Sequence, residues 1–125
     1  MIVLDASALI ALYKEENGYL RVLAEISSSL ISTANLAETM TKFVEDNGRP
    51  DRIPDELALF GCEIIPVSVA HALTAANLRS GTRHLGLSLG DRLCLALATE
   101  RECSVLTADR SWAKLDIGVP IVLIR

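Results

Sequence analysis

Four carboxylates stand where their chemistry could combine. Asp5 and Asp109 each follow a short apolar run, Asp91 opens an apolar helical pattern, and Glu38 lies early in another. Each has an ordinary explanation, because the three aspartates could cap helices and Glu38 could face water. Acids without a phosphate-binding glycine loop or a cysteine nucleophile nevertheless suit metal-assisted hydrolysis. The question is therefore whether the fold brings them together.

Short apolar runs alternate with helical patterns along the whole chain. Strands are predicted at 2–4, 29–31, 63–66, 104–106 and 120–124. Helices are predicted at 8–13, 18–26, 33–45, 51–60, 69–80 and 89–100, with a short helix at 111–115 and a loop at 81–86. This alternation predicts an α/β fold with a mainly parallel sheet of about five strands, flanked by helices. We expect one domain over residues 1–125.

Parallel topology would bring the four acids to one place. The carboxyl ends of parallel strands meet on one side of a sheet, and crossover helices begin there. Asp5, Glu38, Asp91 and Asp109 all fall at that side, where they would repel one another strongly in a low dielectric. Divalent cations would relieve this repulsion, and all-oxygen ligands favour Mg²⁺ or Mn²⁺ over zinc. The pattern predicts metal-assisted hydrolysis of a phosphodiester by metal-activated water.

The charge balance is compatible with this chemistry. The chain has 125 residues, 12 basic and 16 acidic, with a formal net charge of −4. An acidic chain cannot hold nucleic acid by bulk positive charge, but it can be an enzyme whose acids bind metal. Apart from the four candidate acids, the two signs are balanced. No apolar run reaches the roughly 20 residues of a membrane span, and no signal peptide is visible, so we expect a cytoplasmic protein.

Cysteine and histidine are sparse and poorly spaced for a site. The three cysteines are Cys62, Cys94 and Cys103, with no C-x-x-C pair. Their number and spacing argue against a disulfide framework or a thiolate zinc site. Cys94 and Cys103 are predicted to be small core residues. His71 and His84 are too few and too far apart for an imidazole metal site or a histidine-based triad.

Four motifs carry a resemblance to a known family. They are Ile-Val-Leu-Asp-Ala-Ser-Ala at 2–8, Asn-Leu-Ala-Glu at 35–38, Leu-Ser-Leu-Gly-Asp-Arg-Leu-Cys-Leu-Ala at 87–96 and Leu-Thr-Ala-Asp-Arg at 106–110. In this order and spacing, the chain resembles PIN-domain nucleases, and among them VapC-type toxins of bacterial and archaeal toxin–antitoxin pairs. The likeness covers essentially the whole chain.

The resemblance implies an endoribonuclease with an acidic pocket. Asp5, Glu38, Asp91 and Asp109 would be its catalytic residues and would hold Mg²⁺ or Mn²⁺, with Asp5 and Asp91 as the firmest direct ligands. The resemblance also implies a small VapB-like antitoxin that wraps the toxin and blocks the site, and a homodimer is expected.

Further residues have weaker assignments. Ser7 and Thr107 look like the small hydroxyl residues that orient the acids in such sites, although hydroxyls near turns also cap locally. Asp116 is interpreted as a solvated residue at a helix end.

Substrate contacts must be local in an acidic chain. Arg83, Arg92 and Arg110 are predicted to contact RNA phosphates at the rim of the pocket, together with Arg79, His84 and Lys114. The alternative is a scattered solvated surface. Aromatic residues make up only 4% of the chain, which disfavours a stacking platform for extended single strands. A structured or locally melted RNA, read by shape and backbone, fits better.

The early helices carry more apolar residues than a small sheet needs. The apolar residues are Leu9, Ile10, Leu12, Tyr13, Leu20, Leu23, Phe43 and Val44, and the surplus is the part of them that a small sheet cannot pack. It could form a groove for an antitoxin helix or a dimer face, or it could be ordinary core.

Three other functions compete with the toxin nuclease. A PIN nuclease of RNA processing or DNA repair and a catalytically silent PIN-like binding module both remain open. A receiver-like signalling domain would need adjacent acids after the first strand and an aspartate after the third. Ala6 and the run 66–68 occupy those places, so this class is disfavoured.

Overall fold

The central sheet contains five strands, and every neighbouring pair is parallel. The computed structural model describes all residues from 1 to 125. The strands are β1 (Ile2–Leu4), β2 (Ser29–Ser32), β3 (Glu63–Ile65), β4 (Ser104–Thr107) and β5 (Ile121–Leu123), in the spatial order β3-β2-β1-β4-β5. The predicted fold class and strand number are confirmed.

Helices cover the sheet and connect its strands. They are α1 (Ala6–Lys14), α2 (Tyr19–Glu25), α3 (Thr33–Glu45), α4 (Ile53–Phe60), α5 (Val69–Thr82) and α6 (Leu89–Arg101). Single 3-10 turns lie at Ile26–Ser28, Pro50–Arg52, Arg83–Leu85 and Arg110–Lys114. None of the helices combines the length and apolar character that crossing a membrane requires.

The predicted loop at 81–86 is wrong. Helix α5 continues through Gly81 to Thr82, and a 3-10 turn follows at Arg83–Leu85. Thr82 is buried, and its hydroxyl donates to the carbonyl of Leu78 one turn earlier at 2.6 Å. Burial and bonding of this last turn outweigh the roughly 1 kcal/mol that a glycine costs inside a helix.

The core has two layers, one on each face of the sheet. Leu4 and Leu106 point into the layer formed with α1, α2 and α4, whereas Val3 and Val105 point into the layer formed with α6. Adjacent strand residues face opposite sides, so even three-residue strands contribute to both layers. Leu9 is fully buried in the first layer, so this residue takes the ordinary core role that the sequence left open.

Side-chain caps mark where the helices begin. Asp5, Ser32 and Ser88 each accept a backbone N–H in the first turn of α1, α3 and α6. Such a cap satisfies one of the backbone donors that a helix start leaves unpaired. Helices α1 and α3 begin immediately after β1 and β2, so they start at the carboxyl ends of those strands. The fold thus directs positive helix ends toward the predicted acidic site.

Candidate active site

Asp5 lies at the centre of the sheet, where the strand order reverses. The chain places β2 on one side of β1 and later places β4 on the other. Crevices at such switch points are where parallel α/β sheets bind ligands. Leu4 is paired with Leu106, so Asp5 follows β1 beside Thr107 of β4, and its N–H donates to the Leu106 carbonyl at 3.3 Å. Asp5 is only 4% exposed.

Three donors hold the Asp5 carboxylate. The Ser7 hydroxyl lies 2.7 Å from Oδ1 and 2.9 Å from Oδ2. The Ala8 N–H donates to Oδ1 at 2.9 Å, and the Thr107 hydroxyl donates to Oδ2 at 2.6 Å. The hydrogen bonds expected of Ser7 and Thr107 are therefore present. A carboxylate has about four acceptor positions, so roughly one remains free on Asp5.

The ionised form of Asp5 is poorly compensated. Burial raises the pKa of Asp5 to about 6, even though the hydrogen bonds from Thr107, Ser7 and Ala8 act to lower it. The negative charge of Asp91 raises this pKa further. The group behaves as a carboxylate that lacks a neighbouring cation.

Glu38 approaches the same region from α3. The side-chain amide of Asn35 donates to Glu38 Oε1 at 2.8 Å. Desolvation raises the pKa of Glu38, the Asn35 hydrogen bond lowers it, and the charge of Asp91 raises it. A Cβ added at Gly90 would lie 2.6 Å from Glu38 Cδ, so the carboxylate rests directly against the first turn of α6.

Asp91 stands in that first turn and takes part in a capping box. Its Oδ2 accepts the Ser88 N–H at 2.9 Å, and its own N–H donates to Ser88 Oγ at 3.1 Å. The buried Cys94 thiol lies behind the site. Burial raises the pKa of Cys94, and the charges of Asp5, Asp91 and Glu38 raise it further, in that order. The Cys94 thiol lies 3.9 Å from the carbonyl of Leu4, next to Asp5, and Glu38 lies against Gly90, next to Asp91, so the three carboxylates lie in one region.

Asp109 is connected differently. Its side chain is exposed, and Oδ1 accepts the Ser111 N–H at 3.0 Å and the Ser111 hydroxyl at 2.7 Å, which caps the 3-10 turn that follows. Its backbone N–H donates to Thr107 Oγ1 at 3.0 Å, and the O–H of the same hydroxyl donates to Asp5. Asp109 is thus linked to Asp5 through one hydroxyl. The capping roles that the sequence allowed for Asp5, Asp91 and Asp109 are all present in the structure.

The donor set fits a hard cation in its chemistry. It consists of carboxylate oxygens, and the buried Asn35 Oδ1 beside them has no hydrogen-bond donor in the protein. Oxygen donors of this kind suit Mg²⁺ and Mn²⁺. No three His, Cys, Asp or Glu side chains are already spaced to hold a metal ion. The largest cavity, about 400 Å³, lies elsewhere and is lined by Ala98, Cys103 and Gly118 among others.

The arginines predicted to contact RNA differ in availability. Arg83 is exposed. Arg92 is half-buried and donates from Nη1 to the Ala75 carbonyl at 2.9 Å, which ties α6 to α5. Arg110 donates to the Arg125 carbonyl at 2.8 Å. Arg92 and Arg110 therefore have structural bonds of their own.

Two residues that the sequence reasoning did not single out contact the site. Asn35 bonds Glu38, and Gly90 leaves the space that the Glu38 carboxylate occupies. Both stand within motifs that carry the family resemblance, at 35–38 and 87–96, and that was their main signal in the sequence. Asn35 is in addition a polar residue within an apolar helical pattern. His71 has a structural role, since it completes a capping box with Ser68 and its Nε2 lies 2.9 Å from Glu100.

Comparison with known proteins establishes the family. The PIN-domain family model matches residues 2–118, and the chain belongs to the PIN-domain family. No curated protein sequence matches the chain.

Solved structures with the same fold include members of toxin–antitoxin systems. A toxin–antitoxin complex from Klebsiella pneumoniae matches with a TM-score of 0.78 and 21% identity, over 100% of this chain and 98% of that one. DNA-bound VapBC from Salmonella typhimurium matches with a TM-score of 0.72 and 18% identity, over 100% of both chains. VapBC-5, a member of the VapBC family from Mycobacterium tuberculosis, matches with a TM-score of 0.52 and 25% identity, over 78% of this chain and 81% of that one.

Proposed function

We propose that this chain is a Mg²⁺- or Mn²⁺-dependent endoribonuclease and the toxin of a toxin–antitoxin pair. The observation that carries the proposal is the convergence of Asp5, Glu38 and Asp91 at the switch point of the sheet. The pKa values of Asp5 and Glu38 are raised there, and Asp91 contributes to both shifts. Membership of the PIN-domain family supports the nuclease activity, and the similar toxin–antitoxin structures support the toxin role.

Each carboxylate has a distinct task in this proposal. Asp5 offers its one free acceptor position as a ligand, and Ser7 and Thr107 keep it oriented. Asp91 and Glu38 complete the ligand set from their helices. The bound ion would supply a nucleophilic hydroxide at neutral pH and neutralise the phosphate under attack. Asp109, exposed and linked through Thr107, positions the attacking water.

The arginines supply contacts to the RNA backbone. Arg83 is fully available for a phosphate. Arg92 and Arg110 can contribute only the N–H groups that remain beyond their bonds to Ala75 and Arg125. Such contacts position a nucleic acid without reading its sequence. An acidic protein needs them close to the site.

The antitoxin would cover apolar side chains of the early helices. Leu20, Leu23 and Val44 are 64%, 49% and 61% exposed. Part of the predicted surplus is thus at the surface, where an amphipathic helix of a VapB-like partner could bury it. In a homodimer, a second copy of the chain would bury these apolar side chains in the same way.

RNA cleavage tests the nuclease activity directly. Purified protein is assayed on structured RNA with Mg²⁺ or Mn²⁺ and with EDTA, for the wild type, Asp5→Ala and Asp91→Asn. Asp116→Asn serves as a matched control, because Asp116 is an exposed acid with no bond to the site. We expect cleavage only by the wild type and the control, and only with metal.

Two outcomes would contradict the proposal. Cleavage that survives either Asp5→Ala or Asp91→Asn would remove the metal assignment. RNA binding without cleavage would instead indicate a silent binding module. For the toxin role, expression of the wild type should arrest growth, whereas Asp91→Asn should not. Normal growth with an active enzyme would indicate a nuclease outside toxin–antitoxin systems.

A further inference from the structure

We propose that Asn35 and Gly90 together form a seat for the Glu38 carboxylate, and that Asn35 is a positioning residue of the site. Asn35 Nδ2 donates to Glu38 Oε1 at 2.8 Å and to the Gly90 carbonyl at 3.1 Å. One amide group thus joins a site carboxylate on α3 to the first turn of α6. The inference rests on the proposed function for the task of Glu38, but not for the contact itself.

The orientation of the Asn35 amide follows from its partners. Glu38 Oε1 and the Gly90 carbonyl are both acceptors, so the group that faces them must be the NH₂. A hydrogen bond to an ionised carboxylate is shorter and stronger than a neutral one. The amide therefore favours one position of a side chain that is otherwise exposed and has several rotatable bonds.

Asparagine at this buried position lowers the stability of the fold. Asn35 is 1% exposed, and its Oδ1 is buried with no donor in the protein. An unsatisfied buried acceptor costs about 1–3 kcal/mol, and asparagine is a mediocre helix former. Leucine has the same branching and the same number of side-chain heavy atoms, and it carries no acceptor to leave unsatisfied. The contacts to Glu38 and Gly90 are what a leucine could not supply.

Gly90 completes the seat by leaving space. A Cβ on this residue would lie 2.6 Å from Glu38 Cδ and 2.7 Å from Oε2, far inside van der Waals contact. The obstacle is the end of a flexible side chain rather than backbone. Alanine at this position would therefore allow α6 to form, while the Glu38 carboxylate would have to leave. Glycine also carries a helix-propensity cost of about 1 kcal/mol relative to alanine.

The seat sets the spacing between two acids on different helices. Asp91 follows Gly90 directly, and its own carboxylate is held by Ser88. Fixing Glu38 against Gly90 therefore fixes it relative to Asp91, although the two are 53 positions apart in the sequence. Residues that orient metal ligands in this way typically change metal affinity or activity by about 10- to 100-fold when they are replaced.

The test compares Asn35→Leu and Gly90→Ala with Thr39→Val as a matched control. Thr39 is buried on the same helix, and its hydroxyl bonds the Asn35 backbone carbonyl rather than the amide. Mn²⁺ binding is measured by calorimetry, the Tm is measured in EDTA, and metal-free crystal structures locate Glu38. We expect Mn²⁺ affinity to fall about 10-fold or more in Asn35→Leu and Gly90→Ala, and to stay unchanged in Thr39→Val.

Two readouts separate positioning from general destabilisation. Gly90→Ala should keep or raise the Tm while it moves the Glu38 side chain and weakens Mn²⁺ binding. In a Glu38→Ala background, neither Asn35→Leu nor Gly90→Ala should weaken Mn²⁺ binding further. A Glu38 side chain that stays in place in both metal-free variants overturns the seat, whether or not the protein binds metal. Failure of the wild type to bind Mn²⁺ counts against the proposed function instead.

Discussion

The carboxylates of the site come from two kinds of element, and their surroundings differ accordingly. Asp5 follows a central strand, is almost fully buried and has three donors around it. Glu38 and Asp91 stand on helices near the surface, and each has one donor group on its carboxylate. The strand thus holds one desolvated carboxylate with several donors. The helices carry more exposed carboxylates with fewer donors.

This difference indicates a division of labour. A buried carboxylate is orientationally ordered before any ligand arrives, so little freedom is lost on binding. Ionisation of Asp5 lowers the stability of the folded state, because burial raises its pKa to about 6. The helix-borne acids are more exposed than Asp5, and their positions depend on single side-chain or backbone donors from Asn35 and Ser88. Substitutions in the two groups of acids should therefore differ in the size of their effects.

The largest effect is expected from removing the charge of the strand-borne acid. Asp5→Asn keeps the shape and the cap of α1 but removes the charged oxygen donor. We expect RNA cleavage to fall by at least about 100-fold, beyond the usual effect of a residue that only orients a ligand. The same assay on Asp116→Asn should show no loss. If Asp5→Asn kept more than a tenth of the wild-type cleavage rate, the buried acid would not be essential, and the comparison would be contradicted.

The same residue should dominate the pH dependence of stability without metal. Its pKa rises from 3.8 unfolded to about 6 folded, so the folded state binds the proton more tightly. The resulting stabilisation is complete below pH 3.8 and is lost as pH rises through about 6. It corresponds to about 3 kcal/mol.

Urea unfolding in EDTA measures this effect. We expect Asp5→Asn to be more stable than the wild type at pH 7.5 by up to about 3 kcal/mol, and the gap to close toward pH 4. The comparison between the two proteins cancels the surface carboxylates, whose pKa shifts they share. A gap that is absent at pH 7.5, or constant over this range, would show that Asp5 ionises without cost.

A smaller effect is expected at the exposed acid. In Asp109→Asn, the amide oxygen can still accept both bonds from Ser111, so the cap of the 3-10 turn and the Tm should be retained. Because Asp109 reaches Asp5 only through Thr107, we expect cleavage to fall by about 10-fold. Single-turnover kinetics at saturating Mn²⁺ give the value. A loss equal to that of Asp5→Asn would place Asp109 among the direct ligands.

The smallest effect is expected outside the acids. Arg83→Ala should weaken RNA binding a few-fold and reduce the slope of log affinity against log salt by about 1, with Mn²⁺ affinity unchanged. Arg101→Ala is the matched control, because Arg101 lies at the far end of α6, about 15 Å along the helix from Asp91. Equal salt slopes for the wild type and Arg83→Ala would remove Arg83 from the RNA surface.

Much of the fold was predictable because its signals are local. The strand Ile2–Leu4 is a short apolar run ended by a capping residue, and Ser88 with Asp91 has the spacing of a capping box. The alternation of such elements implies parallel strands. Parallel topology in turn implies that Asp5 and Asp91 meet. The wrong prediction concerns the residues 81–86, where burial of the last turn of α5 overrides the local pattern.

The residue types and their order along the chain determined the α/β class, the carboxyl ends of the strands and which acids lie there, because caps, periodicity and turn residues act over a few positions. Only the tertiary structure decided how each acid is held. Three features depend on residues far apart in sequence. They are the burial of Asp5, the seat that Asn35 and Gly90 form for Glu38, and the bond of Arg92 to α5. Desolvation, close packing and hydrogen bonding across elements depend on three-dimensional neighbours, and no local pattern in the sequence specifies those.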